Sequence, residues 1–148
     1  VMTRHPTRMA SVGLPFCFVQ VTPEALSRAT PDLAAFQALA QRSGMHDRLS
    51  LHLHCYASEG RPDRLRTRMF APISGTWEDP ATGSANAALT ALLLSLGAAQ
   101  ELRCEITQGV EMGRPSLLRT RATRGPDGIR ATVGGGCVWV CRGEAELD

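Results

Sequence analysis

The stretch Glu78-Asp79-Pro80-Ala81-Thr82-Gly83-Ser84-Ala85-Asn86 holds two carboxylates, a rigid proline and a Thr-Gly-Ser turn, and it opens onto a long apolar run. Such a junction reads as a loop entering a helix. The first backbone N–H groups of a helix lack internal partners, and the peptide dipoles place partial positive charge there. Gly83 has no side chain to keep a ligand from those amides, and the Ser84 hydroxyl adds a donor beside them. A carboxylate suits this start better than a phosphate, because the lysine and spacing of a Walker loop are missing. Asp79 is expected at the edge of the anion site, where it can hold an amine or hydroxyl, or move a proton. Plain capping accounts for the same residues: Thr82 or Ser84 caps the helix, and Glu78 and Asp79 favour its positive end. Enclosure of the helix tips the balance toward a ligand site, because buried amides need a partner.

The elements that position this junction follow from periodicity. Ser84 to Leu96 carries no charge, and its apolar residues wrap all round, the pattern of a helix enclosed by protein. Pro15–Val21 reads as a strand. Thr22-Pro23-Glu24 and Thr30-Pro31-Asp32 have helix-start chemistry, and the second precedes Leu33, Phe36, Leu39 and Ala40, one helix face closed by Gly44. In Leu49–Cys55 the residues Leu49, Leu51, Leu53 and Cys55 alternate with Ser50, His52 and His54, which predicts a half-buried strand with an exposed histidine face. Arg64–Phe70 alternates likewise, with Arg64, Arg66 and Arg68 expected outward. Residues 71–83 read as a loop. Strands are expected at 102–107, 117–123, 129–133 and 137–141, with Pro126-Asp127-Gly128 as a hairpin turn and Gly134-Gly135-Gly136 as a kink. Residues 1–10 read as a loose leader, and Val1 before Met2 as a cut point. Together these predict an α+β domain over residues 1–148, a curved, mostly antiparallel sheet wrapped around one buried central helix, with one outer helix.

The remaining signals are weaker. His52 and His54, two apart on one strand face, have no third ligand at local spacing, so no metal is expected. The five cysteines form no C-x-x-C pair and read as reduced cytosolic thiols; Cys137 and Cys141 are expected to pack as small hydrophobes beside Trp139. Arg114, between Gly113 and Pro115, either guards the mouth of a pocket or is a solvated loop arginine. The chain has 16 basic residues, all arginine, against 14 acidic ones, and a net charge of +2. Scattered arginines and 5% aromatic content argue against nucleic acid. The uncharged stretch from Ser84 to Gln100 is too short for a membrane span.

Arg68-Met69-Phe70-Ala71-Pro72 followed by Glu78-Asp79-Pro80-Ala81-Thr82-Gly83-Ser84-Ala85 resembles the second-half signature of the PhzF-like family. Gln108-Gly109-Val110-Glu111-Met112-Gly113-Arg114-Pro115-Ser116, Val12-Gly13-Leu14-Pro15-Phe16 and the segment from Val133 to Glu144 resemble further family segments. The resemblance implies one lobe of a diaminopimelate-epimerase-like fold, in which two pseudo-symmetric lobes each wrap a sheet around a helix and share a site between them. It implies a cofactor-independent isomerase that moves a proton on a small carboxylate-bearing substrate. Asp79 and Ser84 would be its catalytic residues here, Gly83 would offer its N–H to the carboxylate, and Glu78, Thr82 and Arg114 would complete the binding set. The family's acid/base glutamate and G-H-A-T-type histidine motif belong to the first lobe and are absent from this sequence. Pro80 stands where racemases of this fold carry a cysteine. The implied partner is therefore a first-lobe chain or a second copy in a homodimeric half-site enzyme; a non-catalytic carboxylate-binding remnant is the other alternative.

Overall fold

The structure is a computed structural model that describes residues 5–45, 48–58 and 60–146; the reading of Val1 and Met2 lies outside these. The chain begins with an antiparallel pair, β1 (Arg8–Ser11) and β2 (Pro15–Gln20). The expected leader is thus in part an edge strand. Its four residues, Arg-Met-Ala-Ser, show no clean alternation, so only pairing with β2 reveals it. Two helices follow. The Thr22 hydroxyl accepts from the Ala25 amide at 3.2 Å at the start of α1 (Pro23–Arg28), and the Asp32 carboxylate from the Ala35 amide at 3.1 Å at the start of α2 (Leu33–Ser43). Gly44 ends α2 in the left-handed conformation, φ 69°.

β3 (Leu51–Tyr56) lies parallel to β2, and β4 (Arg64–Ala71) antiparallel to β3. Within the segment expected as a loop, a short 3-10 turn at Pro72–Ser74 leads into β5 (Thr76–Asp79), which folds back on β4. Then come α3 (Gly83–Leu96), β6 (Glu101–Gln108) parallel to β4, and the antiparallel β7 (Ser116–Gly125) and β8 (Gly128–Gly135). The order across the sheet is β1-β2-β3-β4-β6-β7-β8, with β5 beside β4. The two parallel contacts fall where helices make the crossovers that parallel neighbours require. The fold is α+β, and the sheet curls around α3, which packs against β1, β2, β6, β7 and β8.

Two apolar layers cover the two faces of this sheet. Phe16, Phe18, Leu65, Met69, Ile106 and Leu118 meet Ala85 and Leu89 of α3 inside the curl. Leu26, Phe36 and Ala40 of the outer helices cover Leu49, Leu53, Cys55 and Phe70 on the other side. β3 and β4 are therefore sandwiched, which corrects two expectations. The leucines of β3 face the outer helices, while His52 and His54 point into the inner core and are fully buried. Arg68 is buried too, at 7% exposure, under α1. Alternation identifies the two faces of a strand, but not which one meets solvent when helices lie on both.

Two further expectations change. Residues Ala85–Thr90 of α3 are buried, but Ala91–Leu93 are only partly covered, and Ser95 and Leu96 are exposed. The last turn borders a cavity of about 330 Å³ that His5, Tyr56 and Leu102 also line. Beyond β8, whose last residues are Gly134 and Gly135, residues 136–146 adopt no regular structure. Val138, Trp139 and Val140 are 85%, 93% and 88% exposed, and Cys137 and Cys141 are exposed as well. A strand forms only beside a neighbour, and this segment has none among the described residues.

Candidate active site

β5 delivers Glu78 and Asp79 to the start of α3, and the two carboxylates have separate local roles. Both Glu78 oxygens are taken by Arg68, from Nε and Nη2, each at 2.8 Å. The third arm of that guanidinium donates to the carbonyls of Leu26 (3.0 Å) and Ala29 (2.7 Å), and its plane lies 4.8 Å over the Phe70 ring. The Glu78 carboxylate opposite holds the Arg68 guanidinium above its ordinary pKa, against the opposing effect of burial. Glu111, which pairs with Arg66 at 2.5 Å, stands 3.9 Å away. Glu78 thus locks β5 to β4 and to the end of α1.

Asp79 turns the other way along the chain. One of its oxygens accepts from the Thr82 hydroxyl at 2.8 Å and the other from the Ala81 amide at 3.3 Å, which folds Asp79-Pro80-Ala81-Thr82 into a tight turn. Thr82 occupies the cap position of α3, yet its side chain makes no capping hydrogen bond. The Thr82 hydroxyl is committed to Asp79, and it accepts from Gln108 Nε2 at 2.9 Å. The first helical bond runs from the Asn86 amide to the Thr82 carbonyl at 3.1 Å. Among the described residues, no partner meets the amides of Gly83, Ser84 and Ala85. Simple capping by Thr82, one of the two readings of this junction, is therefore not what the chain does.

The start of α3 is half-open: Asp79, Gly83 and Ser84 are partly exposed, and Ala81 is exposed. A Cβ on Gly83 would meet only Val133, at 3.5 Å, so space inside the protein does not demand glycine there. Gly109 is different. At φ +79°, a Cβ would collide with the Arg114 carbonyl oxygen and come within 2.9 Å of the Pro80 carbonyl. This close approach seats the 109–114 turn, closed by the Arg114 amide on the Gly109 carbonyl at 2.9 Å, against the Asp79–Thr82 turn. The Arg114 backbone is brought to the site in this way, and its side chain is exposed.

Sequence reasoning did not single out Gln108 and Asn86. Both are fully buried. Gln108 Nε2 donates to the Asp79 carbonyl at 2.6 Å as well as to Thr82, and its oxygen accepts from Asn86 Nδ2 at 2.6 Å and from Thr67 at 3.4 Å. Asn86 also donates to the Thr82 carbonyl at 2.9 Å. An amide side chain four residues after the Thr-Gly-Ser turn's threonine, inside an otherwise apolar helix, is the signal that could have flagged Asn86. Among the described residues no group of three or more His, Cys, Asp or Glu is placed to hold a metal ion. No helix among them is long and apolar enough to cross a membrane.

A lobe of curled sheet around one helix, with a loop–helix junction at its open end, is the architecture of the epimerase-like folds. The chain belongs to the phenazine biosynthesis-like protein family, which matches residues 2–143. It is 39% identical to a trans-2,3-dihydro-3-hydroxyanthranilate isomerase of Pseudomonas fluorescens, over 95% of this chain and 45% of that protein. It is 33% identical to an uncharacterized isomerase of Mesorhizobium japonicum, over 95% of this chain and 48% of that one. Among solved structures, a PhzF-family protein of Bacillus anthracis superposes with a TM-score of 0.73 at 20% identity, over 88% of this chain and 45% of that one. A predicted epimerase from Pseudomonas aeruginosa gives 0.63 at 30% identity, over 90% and 43%. The chain thus spans a little under half the length of the curated relatives it matches.

Proposed function

We propose that this chain acts as the second lobe of a cofactor-independent isomerase that binds a small carboxylic acid at the start of α3 and assists proton transfer. The observation that carries this reading is the diversion of Thr82. Its hydroxyl serves Asp79, so the amides of Gly83 and Ser84 are left for a ligand at the positive end of a largely buried helix. In this reading the substrate carboxylate accepts from those two amides and from the Ser84 hydroxyl. Asp79 keeps lone pairs beyond those that Thr82 and Ala81 use, and holds a substrate amine or hydroxyl. Thr82 orients Asp79, Glu78 anchors the strand that carries both, and Arg114 stands at the rim. A proton leaves one substrate carbon and is delivered to another. The acid/base for that step is the glutamate that the family resemblance assigns to a first lobe on another chain or, in a homodimeric half-site, Glu78 or Asp79 of the facing copy.

Support for a partner comes from the apolar run Val138-Trp139-Val140, which lies open to solvent, because contiguous exposed apolar residues mark interaction sites. The reading also places the protein in the cytoplasm, with its thiols reduced. The test is an isomerase assay on trans-2,3-dihydro-3-hydroxyanthranilate. The chain alone should run near background, since a missing general acid/base is worth roughly 10²–10⁴-fold. Addition of a separately expressed first lobe should restore turnover, and Asp79→Asn or Ser84→Ala should abolish the restored rate. Robust turnover by a dimer of this chain alone would favour the homodimeric half-site. A chain that binds no aromatic carboxylate and never gains activity would be a remnant, and the proposal would fall.

A further inference from the structure

We infer that Gln108 is a positioning residue that keeps the start of α3 uncapped. The inference rests on the carboxylate-binding reading above and adds a residue that the reading does not use. Gln108 ends β6, directly across the parallel β4–β6 pairing from Thr67. Its amide group is fully engaged. The two N–H bonds go to the Asp79 carbonyl and the Thr82 hydroxyl, and the oxygen takes Asn86 from α3 and Thr67 from β4.

The direction of these bonds matters. A threonine at a helix start ordinarily turns its oxygen toward the amide two or three residues on, and the gain from that cap is about 1 kcal/mol. Here the Thr82 oxygen accepts from Gln108, and its hydrogen points to Asp79 at 2.8 Å. The same N–H pair pins the Asp79 carbonyl at 2.6 Å, so the turn cannot rotate Thr82 back toward Ala85. Without Gln108 the hydroxyl is free to swing to the Ala85 amide and cap α3. The cap would compete with a ligand carboxylate for the same amides. A glutamine that served only to satisfy a buried helix would contribute stability but would have no effect on what the amides bind.

The experiment measures the dissociation constant of 3-hydroxyanthranilate, a stable aromatic acid, by backbone amide shifts of Gly83 and Ser84. Gln108→Met keeps the length and removes the polar group. It should weaken binding roughly fivefold, as expected when a cap of ordinary strength competes. Adding Thr82→Val to Gln108→Met removes the competing hydroxyl and should recover part of the loss, which a purely structural role would not produce. Unchanged affinity in folded Gln108→Met overturns the inference and leaves the functional reading intact. If the parent chain itself binds no acid, the functional reading fails. The inference is then judged by the crystal structure of Gln108→Met: Thr82 turned onto the Ala85 amide supports it, and an unchanged rotamer overturns it. Should Gln108→Met fail to fold, scalar coupling across the Gln108 Nε2–Asp79 carbonyl bond in the parent decides instead, and its absence overturns the inference.

Discussion

Two groups of polar side chains lie side by side on the inner face of the sheet, and they are built on opposite terms. The group around Gln108, Asn86, Thr67 and Thr82 is buried with its hydrogen bonds made. In the neighbouring group, His54 sits opposite Thr67 across the β3–β4 ladder, yet both nitrogens of His52 and the Nδ1 of His54 have no partner among the described residues. His54 Nε2 meets His5 Nε2 at 3.2 Å in a stacked pair, and His52 leans on the Phe18 ring. Burial holds both rings far below the ordinary imidazole range, at about 3. Asn86 lies close enough to favour the charged His52, but it forms no hydrogen bond with it, and burial prevails. Buried polarity is thus inexpensive where every donor and acceptor is matched, and a source of vulnerability where it is not.

The largest expected effect comes from acid. Each ring stays neutral in the folded chain down to about pH 3, while the unfolded chain takes up its proton near 6.5. Between these values the unfolded state binds more protons, so stability is complete above pH 6.5 and falls as pH drops toward 3. At pH 5 the two rings together should cost about 4 kcal/mol relative to pH 8. Urea titrations across that range measure it, and His52→Leu should remove about half of the slope. A flat profile down to pH 4 would break the comparison from the histidine side.

Next in size is Asn86→Ala. It leaves the Gln108 oxygen without its 2.6 Å donor and opens a small void, so a loss of about 3 kcal/mol is expected in urea unfolding at pH 8. A loss below about 1 kcal/mol would mean that the satisfied group is no more consequential than the unsatisfied one. The smallest effect belongs to Gly83→Ala, which should change stability by less than about 0.5 kcal/mol, since the added methyl finds ordinary contact distance to Val133. A large loss would show that the glycine serves the fold and not a ligand.

Sequence carried the local signals well. The caps at Thr22 and Asp32, the Gly44 stop and the extent of α3 all follow from chemistry within a few residues. What sequence could not supply was the side of each strand that would be covered. His52 and His54 alternate with leucines as a solvent-facing row would, and only the presence of helices on both faces of β3 reverses the reading. Arg68 is covered for the same reason, because its partners come from β5 (Glu78) and from the end of α1 (Leu26 and Ala29), both distant in the chain. Gln108 stands just beyond the strand expected at 102–107, and its bonds reach residues 79, 82, 86 and 67, which no local pattern brings together. The 137–141 run has strand composition, but composition does not provide a neighbour.

The curl of the sheet has a kinetic consequence. α3 touches β1 and β8 at opposite edges of the sheet, one more than seventy residues before it and the other more than thirty after. Those contacts close large loops, whereas the β6–β7–β8 meander is local, so the meander can assemble early and the wrap around the helix must come late. Refolding should accordingly be governed by arrival of the first strand pair, on a timescale of about milliseconds to seconds. Until that pair docks, one flank of α3 remains uncovered, and the nascent protein is at its most prone to stick to a neighbour.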